Sequence, residues 1–267
     1  MRSRYLIVFA WFLLLLPIAG VHAQGVPSEG APKAVRPLET LRAEIDRVDG
    51  ELLGLLNARA GIVAEVGAGK ATSGGPVFRP GRQAALLRRL LSRNGGPQTS
   101  QTLVQVWTAI IAGSILQQKP DFRVAVAGDE TQASLAQAFF GAAIPQSRLA
   151  QPAEALDALA AGKADAVVLP AGGSWWLTLP EGTRIVASAP LLRSADAPPQ
   201  ALIVTRYEGD PSGADLTVAR MAGPPPAGGS VLARSGEDRL IALPAAGALP
   251  AGASRLGLMA APLAPQP

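Results

Sequence analysis

The chain contains no cysteine, which excludes disulfides, thiolate nucleophiles and cysteine-ligated zinc. Its one histidine, His22, falls in a segment that reads as removable, so imidazole acid–base chemistry and histidine metal sites drop out as well. Charge is sparse at 16% of residues, and the formal net charge of +4 becomes +2 without Arg2 and Arg4, too little to point to nucleic acid. Aromatic residues make up only 4%. Glycine and proline are abundant instead, with 29 Gly and 24 Pro predicting long loops in a globular chain that is 48% hydrophobic. A length of 267 residues allows one large domain or two of ordinary size.

Residues 1–23 read as a secretory signal: Arg2 and Arg4, an apolar run from Leu6 to Val21, then small residues around Ala23. This predicts a periplasmic or secreted protein, or an inner-membrane protein if residues 6–21 stay as an anchor; a membrane is a partner only in the second case. Residues 24–36 lack periodicity and read as a flexible lead-in. Leu38, Leu41, Ile45, Val48, Leu52, Leu55, Ile62 and Val66 then recur at helical spacing over about 38–70, with Pro37 at the start. A helix of that length needs a long partner surface, most simply a second copy of itself. Ser73-Gly74-Gly75-Pro76 ends it, a shorter helix begins at Pro80, and a third runs from Thr99 or Ser100 to about Gln118.

After Pro120 short β-like runs alternate with helical ones, predicting a small α/β domain over 120–253 and a loose tail over 254–267. The expected strands are Phe122–Ala127, Asp165–Leu169, Thr183–Ala187, Ala201–Thr205, Asp215–Ala219, Ser230–Ala233 and Arg239–Leu243, with helices over Gln132–Phe140 and Ala153–Ala161. Trp175 and Trp176, if in a strand, would face opposite sides, one into the core and one into a cleft.

Two helix faces carry the wrong residues for simple packing. Arg59, Val63, Val66 and Lys70 point within about 40° of one another, placing two cations on an apolar stripe. Trp107, Ile111, Ser114 and Gln118 likewise share a face of the third helix. One reading lets the cationic heads reach water along the surface. The other forms an interhelical pocket of cations and neutral donors, in which a small dicarboxylate would satisfy the buried charge. Arg42, about 25 Å away along the helix, is too distant for the same small site but could reach that of an antiparallel partner. Acids at Glu39, Glu44, Asp46, Asp49, Glu51 and Glu65 interrupt any continuous basic stripe, so no nucleic-acid partner is expected.

Leu41-Arg42-Ala43-Glu44-Ile45-Asp46-Arg47-Val48-Asp49, Leu52-Leu53-Gly54-Leu55-Leu56-Asn57-Ala58-Arg59, Val66, Lys70, Pro76 to Arg82, and the Ser114 and Gln118 pair together resemble the all-helical chorismate mutases. The resemblance covers 38–119 and implies an intertwined homodimer of three-helix subunits that rearranges chorismate to prephenate without metal or cofactor. It implies that Arg59 binds a substrate carboxylate and that Arg42 reaches the other subunit's pocket. Lys70 would hold a carboxylate and donate to the ether oxygen of the breaking bond, Gln118 would donate to that oxygen from the opposite side, and Arg82 and Ser114 would complete the lining.

The departures cluster on the second helix. Gln83 stands where an acidic residue commonly accepts from the ring hydroxyl, Arg79 where an acid is frequent, and Gly81 where a charged residue is frequent. Gln83 can still accept through its carbonyl, without charge assistance. The alternative is therefore a catalytically impaired binding or regulatory protein for a shikimate-type dicarboxylate. The region after Pro120 resembles a degraded prephenate dehydratase domain, in the two-part layout found in alphaproteobacteria, through Phe122 to Gly128, Ala153 to Pro170 and Trp175-Trp176. Thr205-Arg206-Tyr207 echoes a dehydratase signature but follows its apolar run instead of preceding one.

Overall fold

The computed structural model describes residues 36–265, so the signal and most of the lead-in expected at the N-terminus lie outside the described residues. Three helices come first: α1 (Leu38–Ser73), α2 (Pro80–Arg93) and α3 (Ser100–Gln118). Pro80 sits at the first position of α2, where its missing N–H costs nothing. Thr99 caps α3 by accepting from the Thr102 N–H at 3.1 Å. The chain divides inside α1, into a unit ending at Leu52 and a second running from Leu53.

In the first unit, Arg47 pairs with Glu51 one turn on, Arg36 pairs with Glu44, and Arg42 bonds Glu39 at 3.3 Å. These are exposed pairs of small energetic worth. Leu38, Ile45, Val48 and Leu52 stand in solvent. In the second unit Leu53, Leu55, Leu56, Ile62 and Val66 of α1 are exposed in the same way, Leu55 at 68%.

The rest of the second unit is built on β1 (Val124–Ala127), α4 (Glu130–Phe140), β2 (Gln146–Leu149), α5 (Pro152–Ala160), β3 (Ala166–Pro170), β4 (Arg184–Ala189), β5 (Ala201–Thr205), β6 (Asp215–Ala222), β7 (Ser230–Ser235), β8 (Asp238–Pro244) and β9 (Ser254–Ala260). The strands form one sheet in the order β2-β1-β3-β5-β4-β9-β6-β8-β7. β1 is parallel to both β2 and β3, and α4 and α5 make the crossovers.

Because strand side chains alternate, β1 sends Val124 and Val126 into one core and Ala125 and Ala127 into another. The first core is shared with Ala84, Leu87 and Leu91 of α2 and Val104, Ala112 and Ile115 of α3. Phe78, 1% exposed, packs its ring 5.0 Å from Phe140 and 6.1 Å from Phe122. The second core takes α5 and both tryptophans.

Several expectations require correction. The α/β part, expected to be small, has nine strands and is larger than the three-helix segment, with which it shares an apolar core. Residues 254–265, expected as part of a loose tail over 254–267, are ordered into the sheet region. Ser254–Ala260 is β9, antiparallel to β6 along most of its length and parallel to β4 at Ile185, with Met259 and Leu263 each only 2% exposed. Trp175 and Trp176 lie in a 3₁₀ turn, not a strand, and both are buried. Each indole N–H donates to a local carbonyl: Trp175 to Pro170 and Gly172, Trp176 to Gly173. Neither the polar edge strand β2 nor β9 was expected; the other strands and α4 and α5 lie within a few residues of their expected places.

A chain ended at Ala253 is expected to lose cooperative unfolding, because β4 and β6 would each expose a bare edge and the core would lose Met259 and Leu263. Circular dichroism during thermal unfolding checks this; a transition matching the full chain would contradict it.

Candidate functional site

In the second unit α1, α2 and α3 enclose a cavity of about 350 Å³. Its polar lining is Arg59 and Lys70 from α1, Arg79, Arg82 and Gln83 from the entry and first turn of α2, and Ser114 and Gln118 from α3. Val63, Val66, Phe78 and Ile111 are among its apolar walls. The periodicity on α1 and α3 thus brings both unusual faces onto one hollow, of a size suited to a small molecule. Arg42 belongs to the other unit.

The donors are held by short local contacts. Arg59 Nη1 donates to Ser114 Oγ, which itself donates to the Ile110 carbonyl at 2.8 Å. Lys70 Nζ donates to the Pro76 carbonyl at 3.0 Å. Gln118 Nε2 donates to the Ser114 carbonyl at 2.8 Å, leaving its second amide hydrogen free to serve a ligand. Gln118 Oε1 is buried without a hydrogen-bond partner among the described residues, an acceptor that a ligand would satisfy. Gly67 lets α1 lie close here, since a Cβ on it would sit 3.2 Å from Gln118 Cγ. Gln117 Nε2 adds a tie to the Ala60 carbonyl at 2.9 Å.

The charge is unbalanced. Arg59, Lys70 and Arg82 have no ion pair among the described residues. Desolvation, then the Arg82 charge, lowers the pKa of Arg59. Desolvation, then Arg79 and Arg82, lowers that of Lys70, while Asp210 works in the opposite direction. Four cations around one hollow form a site for an anion carrying more than one charge. A second hollow of about 260 Å³ lies against β6, β8 and β9, but Arg255, the one cation in its lining, already pairs with Glu208 at 3.2 Å.

Each departure on α2 has a structural partner in the sheet region. Arg79 pairs with Asp210 at 3.3 Å. Gly81 is required by close approach, because a Cβ there would meet the Asp210 carbonyl oxygen at 1.8 Å. Gln83, 5% exposed, donates Nε2 to the Phe139 carbonyl at 3.3 Å, which leaves Oε1 as its acceptor for a ligand. Sequence reasoning missed Asp210, an acid in a loop 128 residues from the helix it touches.

With this geometry in hand, comparison with known proteins gives the class. Residues 41–119 match the family model for chorismate mutase type II. The chain therefore carries, in α1 to α3, a chorismate-mutase-related segment followed by a mixed α/β region.

The relatives agree. The chain is similar to a bifunctional chorismate mutase/prephenate dehydratase of Neisseria gonorrhoeae, 34% identical over 79 residues, covering 30% of this chain and 21% of that protein. It is also similar to the protein of that name in Aquifex aeolicus, 34% identical over 86 residues, covering 31% and 24%. The counterpart in Pseudomonas aeruginosa is 32% identical over 145 residues, covering 51% and 39%. The chain thus spans about one fifth to two fifths of the length of the curated relatives it matches.

Relief of the crowding should be measurable without ligand. Arg82→Gln is expected to raise folding stability slightly, by no more than about 0.5 kcal/mol after solvent screening of this exposed side chain, since Arg82 has no ion pair among the described residues and repels its neighbours. Urea unfolding checks the sign; a lower midpoint at unchanged slope would contradict it.

Proposed function

We propose that the protein is a chorismate mutase, isomerising chorismate to prephenate in aromatic amino acid metabolism. The observation that carries this reading is one cavity lined by Arg59, Lys70 and Arg82, none of them ion-paired among the described residues, with the Gln118 amide beside them. Chorismate is a dicarboxylate, and its conversion is a single concerted shift in which a C–O bond breaks as a C–C bond forms. No proton, electron or co-reactant enters or leaves. The residues need only hold the folded conformer and place donors where the ether oxygen gains negative charge.

Arg59, oriented by Ser114, takes one carboxylate. Lys70 holds a carboxylate and donates to the ether oxygen, and the spare Gln118 amide hydrogen approaches that oxygen from the other side. Arg82 and Arg79 contribute positive charge on the α2 side, and Gln83 Oε1 accepts from the ring hydroxyl.

The active form is a homodimer in which Arg42 enters the partner's cavity. Support comes from α1, whose Ile45, Val48, Leu55, Ile62 and Val66 stand exposed on a helix that by length and composition alone could also cross a membrane. The Arg59 and Gln117 contacts to and from α3 favour a protein partner for this helix, and burial of each large apolar side chain contributes about 1.5–3 kcal/mol. The α/β region serves a noncatalytic, structural or ligand-binding role, and the protein works in the periplasm or beyond, or held at the inner membrane by residues 6–21. The second reading, a binding or regulatory protein for the same kind of dicarboxylate, is favoured by Gln83, which offers a neutral acceptor where a charged one would bind the hydroxyl more strongly.

Turnover of chorismate by the purified chain separates the two readings, since binding without turnover would leave only the second. Lys70→Ala is expected to lower kcat about 10²–10³-fold, the scale of a lost oxyanion donor. Lys70 must be protonated to donate and its pKa is lowered, so activity should fall as pH rises, starting below the usual lysine range. An unchanged rate in Lys70→Ala would refute its assigned role. Mixing the inactive Arg42→Ala and Lys70→Ala chains should restore about a quarter of parental activity, because half the dimers would carry one intact site. No recovery after subunit exchange would exclude a shared site.

A further inference from the structure

We propose that Asp210, on the loop between β5 and β6, is a positioning residue of the cationic cavity, holding the first turn of α2 and with it Arg82 and Gln83. The proposal rests on the mutase reading for its effect on turnover, but not for its effect on the cavity itself.

The start of α2 is unfavourable as it stands in the sequence. The residue at its N-cap position is Arg79, which makes no side-chain cap, and the first turn has no acid. The unsatisfied N–H groups and the positive end of the helix dipole would therefore add to the crowding of Arg59, Lys70, Arg79 and Arg82. One carboxylate from the sheet region answers these demands together. Asp210 Oδ1 accepts from the Gly81 N–H at 2.9 Å, Oδ2 accepts from the Arg82 N–H at 2.8 Å, and Arg79 Nε lies 3.3 Å from Oδ2. The Asp210 side chain is 12% exposed, so these contacts are largely shielded from water.

The loop is fixed on both sides of Asp210. Tyr207 Oη donates to the Phe78 carbonyl at 3.0 Å, and Arg88 of α2 donates to the Ser212 carbonyl at 3.0 Å. Glycine at 81 admits the loop backbone, as any side chain there would collide with it. Arg79 and Gly81 are thus the fittings by which the sheet region grips the catalytic helix.

Arg82 lies in the gripped turn, Gln83 follows it directly, and both line the cavity. Among the described residues the charges facing Lys70 are Arg79 and Arg82 from α2 and Asp210 from the loop, with Arg59 on the same cavity wall, so Asp210 is the one facing carboxylate there and keeps the lysine protonated to higher pH.

The test uses the full chain with Asp210→Asn, which keeps the shape of the side chain and removes its charge, beside Gly81→Ala, which displaces the loop while leaving the carboxylate present. Lys70 is titrated by NMR of its side chain without ligand, and kcat/KM for chorismate is followed against pH. Asp210→Asn should make Lys70 titrate about half a pH unit lower, move the alkaline limb of kcat/KM down with it, and lower kcat/KM about tenfold with helix content preserved. Gly81→Ala should shift Lys70 in the same direction. If Lys70 titrates as in the parent in both folded variants, or in Gly81→Ala alone should Asp210→Asn fail to fold, the proposal is overturned. A parent chain without turnover, but with the Lys70 shift in the variants, would refute the mutase reading and still support Asp210 as the group that sets this cavity.

Discussion

The structure turns on positive charges gathered with too few negative ones. Arg59, Lys70 and Arg82 reach one hollow from two helices, and the single carboxylate acting there among the described residues, that of Asp210, is already engaged by Arg79 and two backbone amides. Such an arrangement costs stability in the empty protein, because desolvation and mutual repulsion both disfavour the charged forms. A dianionic ligand reverses both terms. In the rearrangement we propose, the same charges would fix the reactive conformer and stabilise charge on the departing oxygen without covalent chemistry.

α2 does double duty in this arrangement. One side presents Arg82 and Gln83 to the cavity, and the other puts Ala84, Leu87 and Leu91 into a core shared with β1, β3 and α4. Phe78, just before the helix, packs its ring among Phe122, Phe139 and Phe140. The helix thus belongs as much to the sheet as to the three-helix segment. This gives a physical reason for its unusual composition: Arg79, Gly81 and Gln83 each meet a partner in the region after Pro120.

Much of the site was legible because helical periodicity is local. Arg59 and Lys70 among Val63 and Val66, and Ser114 and Gln118 after Trp107 and Ile111, could be placed on common faces from spacing alone. Buried strands such as Ala201–Thr205 were legible as short apolar runs. Four features were not. β2, Gln146–Leu149, is a polar edge strand with no apolar run to mark it, and β9 carries Ser254, Arg255 and Gly257 amid its apolar residues, which disguised a strand inside the sheet. The tryptophan pair follows Gly172, Gly173 and Ser174, and that turn-rich approach leads into 3₁₀ geometry. Asp210 could not be found by spacing, because its significance lies in amides 128 and 129 residues away.

The most direct measurement of the central claim is calorimetric titration of the full chain with a non-reactive cyclic dicarboxylate of prephenate's size. The account predicts saturable binding at one ligand per chain, weakening steeply with added salt and lost when Arg59 and Lys70 are both replaced by Met. Absence of binding, or binding indifferent to salt and to those two replacements, would contradict it.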